Sequence, residues 1–425
     1  MSKLLIKNIK GLVGAFENTP SVQTGKEMDR FPVIENAFLA IENDRIVAFG
    51  NMDDWGGITD WRDLQVIDAE GRFVFPSYCD SHTHVVFAGS RETEFEDRIA
   101  GLSYEEIATK GGGILNSAAR LASATEEELY EAAKTRIKEL IKLGTGALEI
   151  KSGYGLSVES ELKMLRVIKR LKAELPIPIK ATFLGAHAIP KAYKENRSAY
   201  IDLIINDMLP KIAEENLADY VDVFCEKNYF TTTEMDAILK AASLSGLLPK
   251  VHVNQFNAIG GIATAIKHKA VSVDHLEVLN DEDIDLLKSH KHTMATFLPS
   301  CSFFIDLPYG PARTLQKHEI PFALASDYNP GSTPSGNMNF VVSLACIHQK
   351  ISPQAAFCAS TLHGAYAMQI QDNYGSINVG KKANVFITKP MPSLAYLPYH
   401  FANNLVDCVI LNGKIINQET TTLLS

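Results

Sequence analysis

Between about residues 70 and 375 the chain alternates short runs rich in β-branched residues with longer stretches of helical period, and no other feature restricts its fold so much. Eight such runs occur, at 73–80, 145–150, 179–186, 220–225, 249–253, 271–274, 292–298 and 321–326. The helical stretches between them carry start signals. Thr125 with Glu128 and Thr231 with Glu234 read as capping boxes, and Ser157 and Asn280 as N-caps. Leu162, Leu165, Ile168 and Leu171 give one helix an apolar stripe that stops near Pro176. Eight strands, each followed by a helix, predict a parallel (β/α)8 TIM-like barrel in preference to an open sheet. The length of 425 residues fits such a barrel plus one smaller domain.

The flanks differ from the middle. Residues 1–72 and 375–425 are short alternating runs separated by turns, such as Leu411-Asn412-Gly413-Lys414. They are expected to pair into one small β-sandwich domain built from both chain ends, around a barrel spanning 73–374. Residues 85–124 are long for a loop between a strand and its helix and contain Gly111-Gly112-Gly113, which reads as a mobile lid. That glycine run lacks the Gly-Lys-Ser/Thr of a phosphate loop.

Composition narrows the function classes. A hydrophobic fraction of 46% with 21% charged residues belongs to a globular chain with a substantial core. The net charge is −9, from 41 Lys and Arg against 50 Asp and Glu, and no long basic run occurs, which argues against a nucleic-acid surface. No apolar stretch reaches the roughly 20 residues that span a bilayer, and the N-terminus carries no secretory signal, so a cytoplasmic protein is expected. Six cysteines without a C-x-x-C pair read as buried free thiols in a reducing compartment rather than a disulfide framework or a thiolate metal site.

Barrel enzymes carry their chemistry at the C-terminal ends of the strands. His82 and His84 end the first run, and Lys151, Ser152 and Tyr154 follow the second. His187, Glu226, His252, Asp274-His275 and Asp327 follow at later strand ends, so histidines fall at four of the eight. Side chains two apart on a strand project to one face, which lets both imidazoles of His82-Thr83-His84 reach one cation. His252 alone would read as a hydrogen-bonded core histidine. Converging with His82, His84 and Asp327 on the barrel axis, it becomes a third nitrogen donor of a catalytic Zn²⁺ or Fe²⁺ site with open positions. The other histidines, His268, His290, His292, His318, His348, His363 and His400, lie in helices or connections and read as surface or satisfied packing.

Nearly the whole chain resembles the amidohydrolase superfamily, and within it the imidazolonepropionases. The broader likeness rests on Phe75-Pro76, Asp80-Ser81-His82-Thr83-His84, His252, His275, Asp327 and the segment 375–384, where Asn384 stands in a place usually held by Asp. The narrower one rests on segments 86–92, 111–114, 149–156, 183–187 and 326–331. The resemblance implies hydrolysis of 4-imidazolone-5-propanoate to N-formimidoyl-L-glutamate in histidine degradation, by a homodimer with one Zn²⁺ or Fe ion per subunit. It implies metal ligands at His82, His84, His252 and Asp327. It implies substrate contacts at Arg91, Tyr154, His187, Gln255, Asn329, Gly331 and Ser332. Gln255 stands where some members have Glu, and Ser332 where Thr is common.

In that chemistry Asp327 is the expected base, while His275 and His187 hydrogen-bond the carbonyl oxygen. Gln255 cannot transfer protons at neutral pH and orients the ring. Arg91 offers a bidentate fork to the propionate, with Tyr154 adding a donor; outside the family context it reads as a salt bridge to Glu92 or Glu94. Lys151 does not stand where superfamily members carbamylate a lysine to bridge two metals, so one metal and no carbamate is expected. Two alternatives remain open: a mononuclear amidohydrolase that deaminates a nucleobase-like ring, and a barrel kept as a non-catalytic scaffold.

Overall fold

The computed structural model describes residues 2–58, 62–102, 106–107, 110–401 and 403–417. Among them, five strands precede the barrel: β1 (Lys3–Val13), β2 (Val33–Glu42), β3 (Arg45–Asn51), β4 (Leu64–Asp68) and β5 (Phe73–Pro76). The barrel strands are β6 (Tyr78–Thr83), β7 (Thr145–Lys151), β8 (Ile179–Ala186), β9 (Tyr220–Cys225), β10 (Leu248–Val253), β11 (Ser272–His275), β12 (Met294–Phe297) and β13 (Phe322–Leu324). Then β14 (Val385–Thr388), β15 (Val406–Leu411) and β16 (Lys414–Asn417) return to the first group.

Strands β6 to β13 lie side by side in sequence order, each parallel to the next. The ring closes just beyond β13. Thr83 bridges Tyr328 in parallel, the Asp327 N–H donates to the His82 carbonyl at 3.0 Å, and the His84 N–H donates to the Tyr328 carbonyl at 2.8 Å. Beneath that seam the buried Asp80 carboxylate accepts the Ser326 N–H at 3.0 Å and its hydroxyl. The main-chain bonds that close the barrel therefore fix His82, His84 and Asp327 relative to one another.

The helices start where the capping residues stand. Thr125 and Thr231 form reciprocal boxes with Glu128 and Glu234 on Glu126–Lys142 and Thr232–Leu244, Asn280 does so with Asp283 on Asp281–Ser289, and Ser157 caps Val158–Glu174. Leu162, Leu165, Ile168 and Leu171 are buried in the main core, each contributing roughly 1.5–3 kcal/mol of apolar burial. No helix among the described residues is long and apolar enough to cross a membrane.

The run 73–80 is two strands rather than one. β5 pairs with β1 and β14, and only after Ser77 does the chain enter β6. A continuous apolar run shows no change of period where it changes sheet, and the break falls at Pro76, which has no N–H to continue the ladder.

The chain ends form one mixed sheet in the order β16-β15-β14-β5-β1-β2-β3, with β4 on β1. It curls back on itself. The Ile46 N–H reaches the Lys381 carbonyl and the Gly380 N–H reaches the Ile46 carbonyl, enclosing a second core that includes Leu4, Ile6, Leu39, Val385 and Ile410. Asn384 ties this layer to the barrel: its amide donates to the Gly146 carbonyl at 3.1 Å and its oxygen accepts the Asn412 N–H at 2.8 Å. An ionised Asp there could not make the first bond.

Candidate metal centre and substrate pocket

Four imidazoles and one carboxylate gather at the C-terminal mouth of the barrel. Donor atoms of His82, His252 and His275 lie within 4.8 Å of one another, as do those of His82, His84 and Asp327. Asp327 Oδ1 is 3.6 Å from the Nε2 atoms of both His82 and His84. His275 and Asp327 leave their strands in the left-handed region, at φ 91° and 57°, and this turns their side chains out of the strand repeat.

Buried carboxylates hold two of the rings. Asp274 lies 2.7 Å from His82 Nδ1, and Asp222 lies 2.8 Å from His252 Nδ1 while also accepting the His252 N–H at 3.0 Å. Burial opposes the charge on Asp222, but His252 and Lys151 hold its pKa well below the usual carboxylate range. With each Nδ1 donating to a carboxylate, the two Nε2 atoms meet lone pair to lone pair at 3.1 Å. That arrangement is repulsive by itself and favourable around a cation. Burial also holds His82 and His84 well below the ordinary histidine pKa, as neutral imidazoles. The donor set thus suits a divalent metal with imidazole and carboxylate ligands.

Lys151 lies beneath these carboxylates, fully buried. Its ammonium is 2.9 Å from Glu149 Oε1, 2.9 Å from Asp222 Oδ2 and 3.8 Å from Asp274 Oδ2. Burial disfavours its charge, yet the three carboxylates raise its pKa above that of an ordinary lysine. Lys151 is thus a counter-ion shared by the anchors of His252 and His82.

Arg91, Tyr154, His187, Gln255, Asn329 and Ser332 line one pocket with His84, His252, His275 and Asp327. Arg91 is buried to 6% exposure, and its Nε and Nη2 edge is held by Glu94. The Glu94 carboxylate in turn accepts the Gly113 N–H, so the arginine is fastened to the start of the helix Ile114–Ser123 in the long insertion. Gly331 supplies space: a Cβ there would lie 2.1 Å from Arg91 Nη1. Asn329 Oδ1 accepts the N–H groups of Gly331 and Ser332, and the Ser332 hydroxyl lies 3.3 Å from Asp327 Oδ2.

His187 stacks on His84 with centroids 5.5 Å apart, and its Nδ1 donates to the Gly153 carbonyl at 2.9 Å. Burial and neighbouring His252 push its pKa down to about 3. For His275 burial acts downward, but Glu277 and Asp327 raise the pKa above the ordinary value. Tyr154 is placed by Glu161, whose buried carboxylate accepts the N–H groups of Gly153, Gly155 and Leu156.

Sequence reasoning missed three supports: Asp222, the salt-bridged Lys151 and Glu161. Asp222 had a signal, as a lone carboxylate inside Tyr220-Val221-Asp222-Val223-Phe224. Glu161 had none, since a glutamate in a first helical turn is commonplace.

Residues 73–416 match the model of the amidohydrolase family. The chain is 57% identical over 413 residues to an imidazolonepropionase of Christiangramia forsetii, covering 97% of this chain and all of that one. It is 39% identical to an imidazolonepropionase of Alkaliphilus metalliredigens, covering 98% of each. Among solved structures, E. coli guanine deaminase superposes with a TM-score of 0.75 at 13% identity, over 98% of this chain and 99% of that one. An adenosine deaminase from Xanthomonas campestris with bound zinc gives 0.70 at 16% identity, over 97% and 92%. At such identities these two speak for the fold alone. Full-length identity of 39–57% to relatives that bear one name goes further, and the chain belongs to the imidazolonepropionase family of amidohydrolases.

Proposed function

We propose that the protein hydrolyses the ring amide of 4-imidazolone-5-propanoate to N-formimidoyl-L-glutamate, a step of histidine degradation. The observation that carries this reading is the sharing of one pocket by His84, His252 and Asp327, whose donor group His82 joins from beneath, and the buried guanidinium of Arg91. A ring-opening amidohydrolase needs the first, and a substrate with a carboxylate tail needs the second.

His82, His84, His252 and Asp327 would hold one Zn²⁺ or iron ion per chain. Such an ion supplies Lewis acidity and lowers the pKa of water toward about 7. Asp327 is the base that takes the water proton and returns it to the departing ring nitrogen. His275 hydrogen-bonds the amide oxygen where negative charge develops. His187 does not share that role, because its single N–H is given to the Gly153 carbonyl and its other nitrogen can only accept. Glu94 orients Arg91 for the propionate, Gly331 leaves it room, and Tyr154 adds a hydroxyl. Gln255 positions the ring without exchanging protons. Family membership supports a homodimer working in the cytoplasm.

Purified protein is expected to contain about one zinc or iron per chain and to consume imidazolone propionate, followed by its ultraviolet absorbance, without releasing ammonia. Stoichiometric ammonia would establish a deaminase instead, and full activity in metal-free protein would overturn the mechanism.

A further inference from the structure

A second group of donors, His275, Glu277 and Cys301, lies beside the four ligands, and the proposed reaction uses only its histidine. One atom from each of the three falls within 4.8 Å of the others. The backbone brings them together. Left-handed φ values at His275 (91°) and Leu276 (64°) fold the chain just after β11, and Cys301 lies near the start of the helix Pro299–Ile305 that follows β12. All three are buried.

Glu277 is the informative member. One carboxylate oxygen lies 3.3 Å from His275 Nδ1 and accepts the Ser302 hydroxyl at 3.3 Å, while Oε2 has no hydrogen-bond partner. Asp222 holds His252 in a comparable way but employs both of its oxygens. Asp274, which holds His82, also leaves one oxygen bare, but among the described residues only Glu277 stands in a donor group that includes a thiol. Cys301 offers sulfur next to it, contacted by Gln255 Nε2 at 3.4 Å.

We propose that His275, Glu277 and Cys301 form a second, inhibitory cation site that takes a soft divalent ion such as Zn²⁺ or Cd²⁺. Imidazole, carboxylate and thiolate together favour such ions over Mg²⁺ or Ca²⁺, which prefer oxygen alone. On binding, the sulfur–metal bond replaces the S–H bond and the proton leaves to solvent. Inhibition follows because the His275 ring, 5.1 Å from that of His252, faces the substrate pocket and would be held by the second ion. This last step rests on the role given to His275 in the proposed reaction.

The test begins with protein loaded with one equivalent of Zn²⁺ and adds Cd²⁺ stepwise, following thiolate-to-cadmium charge transfer in the ultraviolet together with turnover of imidazolone propionate. The expected result is a band that saturates with one further equivalent while turnover falls in parallel. Cys301→Ser should abolish the band and raise the inhibitory Cd²⁺ concentration at least about tenfold relative to its own uninhibited rate. Glu277→Gln, which keeps the thiol, should shift the band to higher Cd²⁺. Absence of the band overturns the site, as does its persistence in Cys301→Ser, because another cysteine would then own it. A band without inhibition overturns the inhibitory role. A Cys301-dependent band in protein with no turnover at any metal ratio sustains the site and removes the proposed reaction; normal turnover without the band does the reverse.

Discussion

Replacing Lys151 by Met removes the ammonium that contacts Glu149 and Asp222 at 2.9 Å and lies 3.8 Å from Asp274, and leaves a side chain of similar length in its place. All four groups are fully buried or nearly so, so the carboxylates cannot turn to water. Removing one member of a buried, hydrogen-bonded ion cluster costs about 3–5 kcal/mol, a large part of the roughly 5–15 kcal/mol that holds a domain folded. Urea unfolding with and without bound metal measures the loss. It should depend on pH in a defined direction. Burial already holds the Glu149 carboxyl above its ordinary pKa, and Lys151 is the first influence opposing it. Without Lys151, Glu149 keeps its proton in the folded chain to higher pH than in the unfolded one, so the variant binds more protons folded than unfolded above about pH 4. Its stability then falls as pH rises from about 4 toward neutrality, and the gap to the parent widens. Metal affinity should drop about 10- to 100-fold, since Asp222 and Asp274 no longer hold His252 and His82 in place. A loss below about 1 kcal/mol, with metal affinity unchanged, would show that the ammonium is not what keeps these carboxylates ordered.

Arg91→Ala should lower kcat/KM on the propionate-bearing substrate on the order of a hundredfold, the size of a lost charge-assisted contact, and should spare a tail-less imidazolone; equal losses on both would make Arg91 structural. His363 is a separate pH-sensitive point. Its Nδ1 donates to the Phe322 carbonyl at 2.7 Å and its Nε2 accepts the Gln23 N–H at 3.0 Å, and burial lowers its pKa to about 4. The unfolded chain takes up the proton first, so this stability is complete above about pH 6.5 and lost as pH falls toward 4, amounting to about 2 kcal/mol by pH 5. His363→Gln should flatten that part of the urea-unfolding pH profile, and an unaltered slope would assign it to other groups.

Much of the barrel was legible because its signals are local. The period of each run, the reciprocal caps at Thr125 and Thr231, and the apolar stripe from Leu162 to Leu171 are written within one or two turns of chain. The rim residues followed from a rule about where barrel strands end, and of them His84, Tyr154, His187, His252, His275 and Asp327 line one pocket, whereas Lys151 and Asp274 lie beneath it as supports. The division of 73–80 at Pro76 was illegible, because the partners on its two sides come from separate parts of the chain, near Val385 for Pro76 and near Thr145 for Tyr78.

Sequence alone determined the alternation that makes a barrel, the histidines and carboxylate at its rim, and the family. The tertiary structure decided what surrounds them: that Asp222 and Asp274 fix the tautomers of two imidazoles, that Lys151 holds those carboxylates, and that a bare oxygen of Glu277 lies near a thiol. The reason is physical. A strand end advertises itself through neighbours in the chain, whereas the charge balance of a buried group depends on residues that only folding brings within 3 or 4 Å.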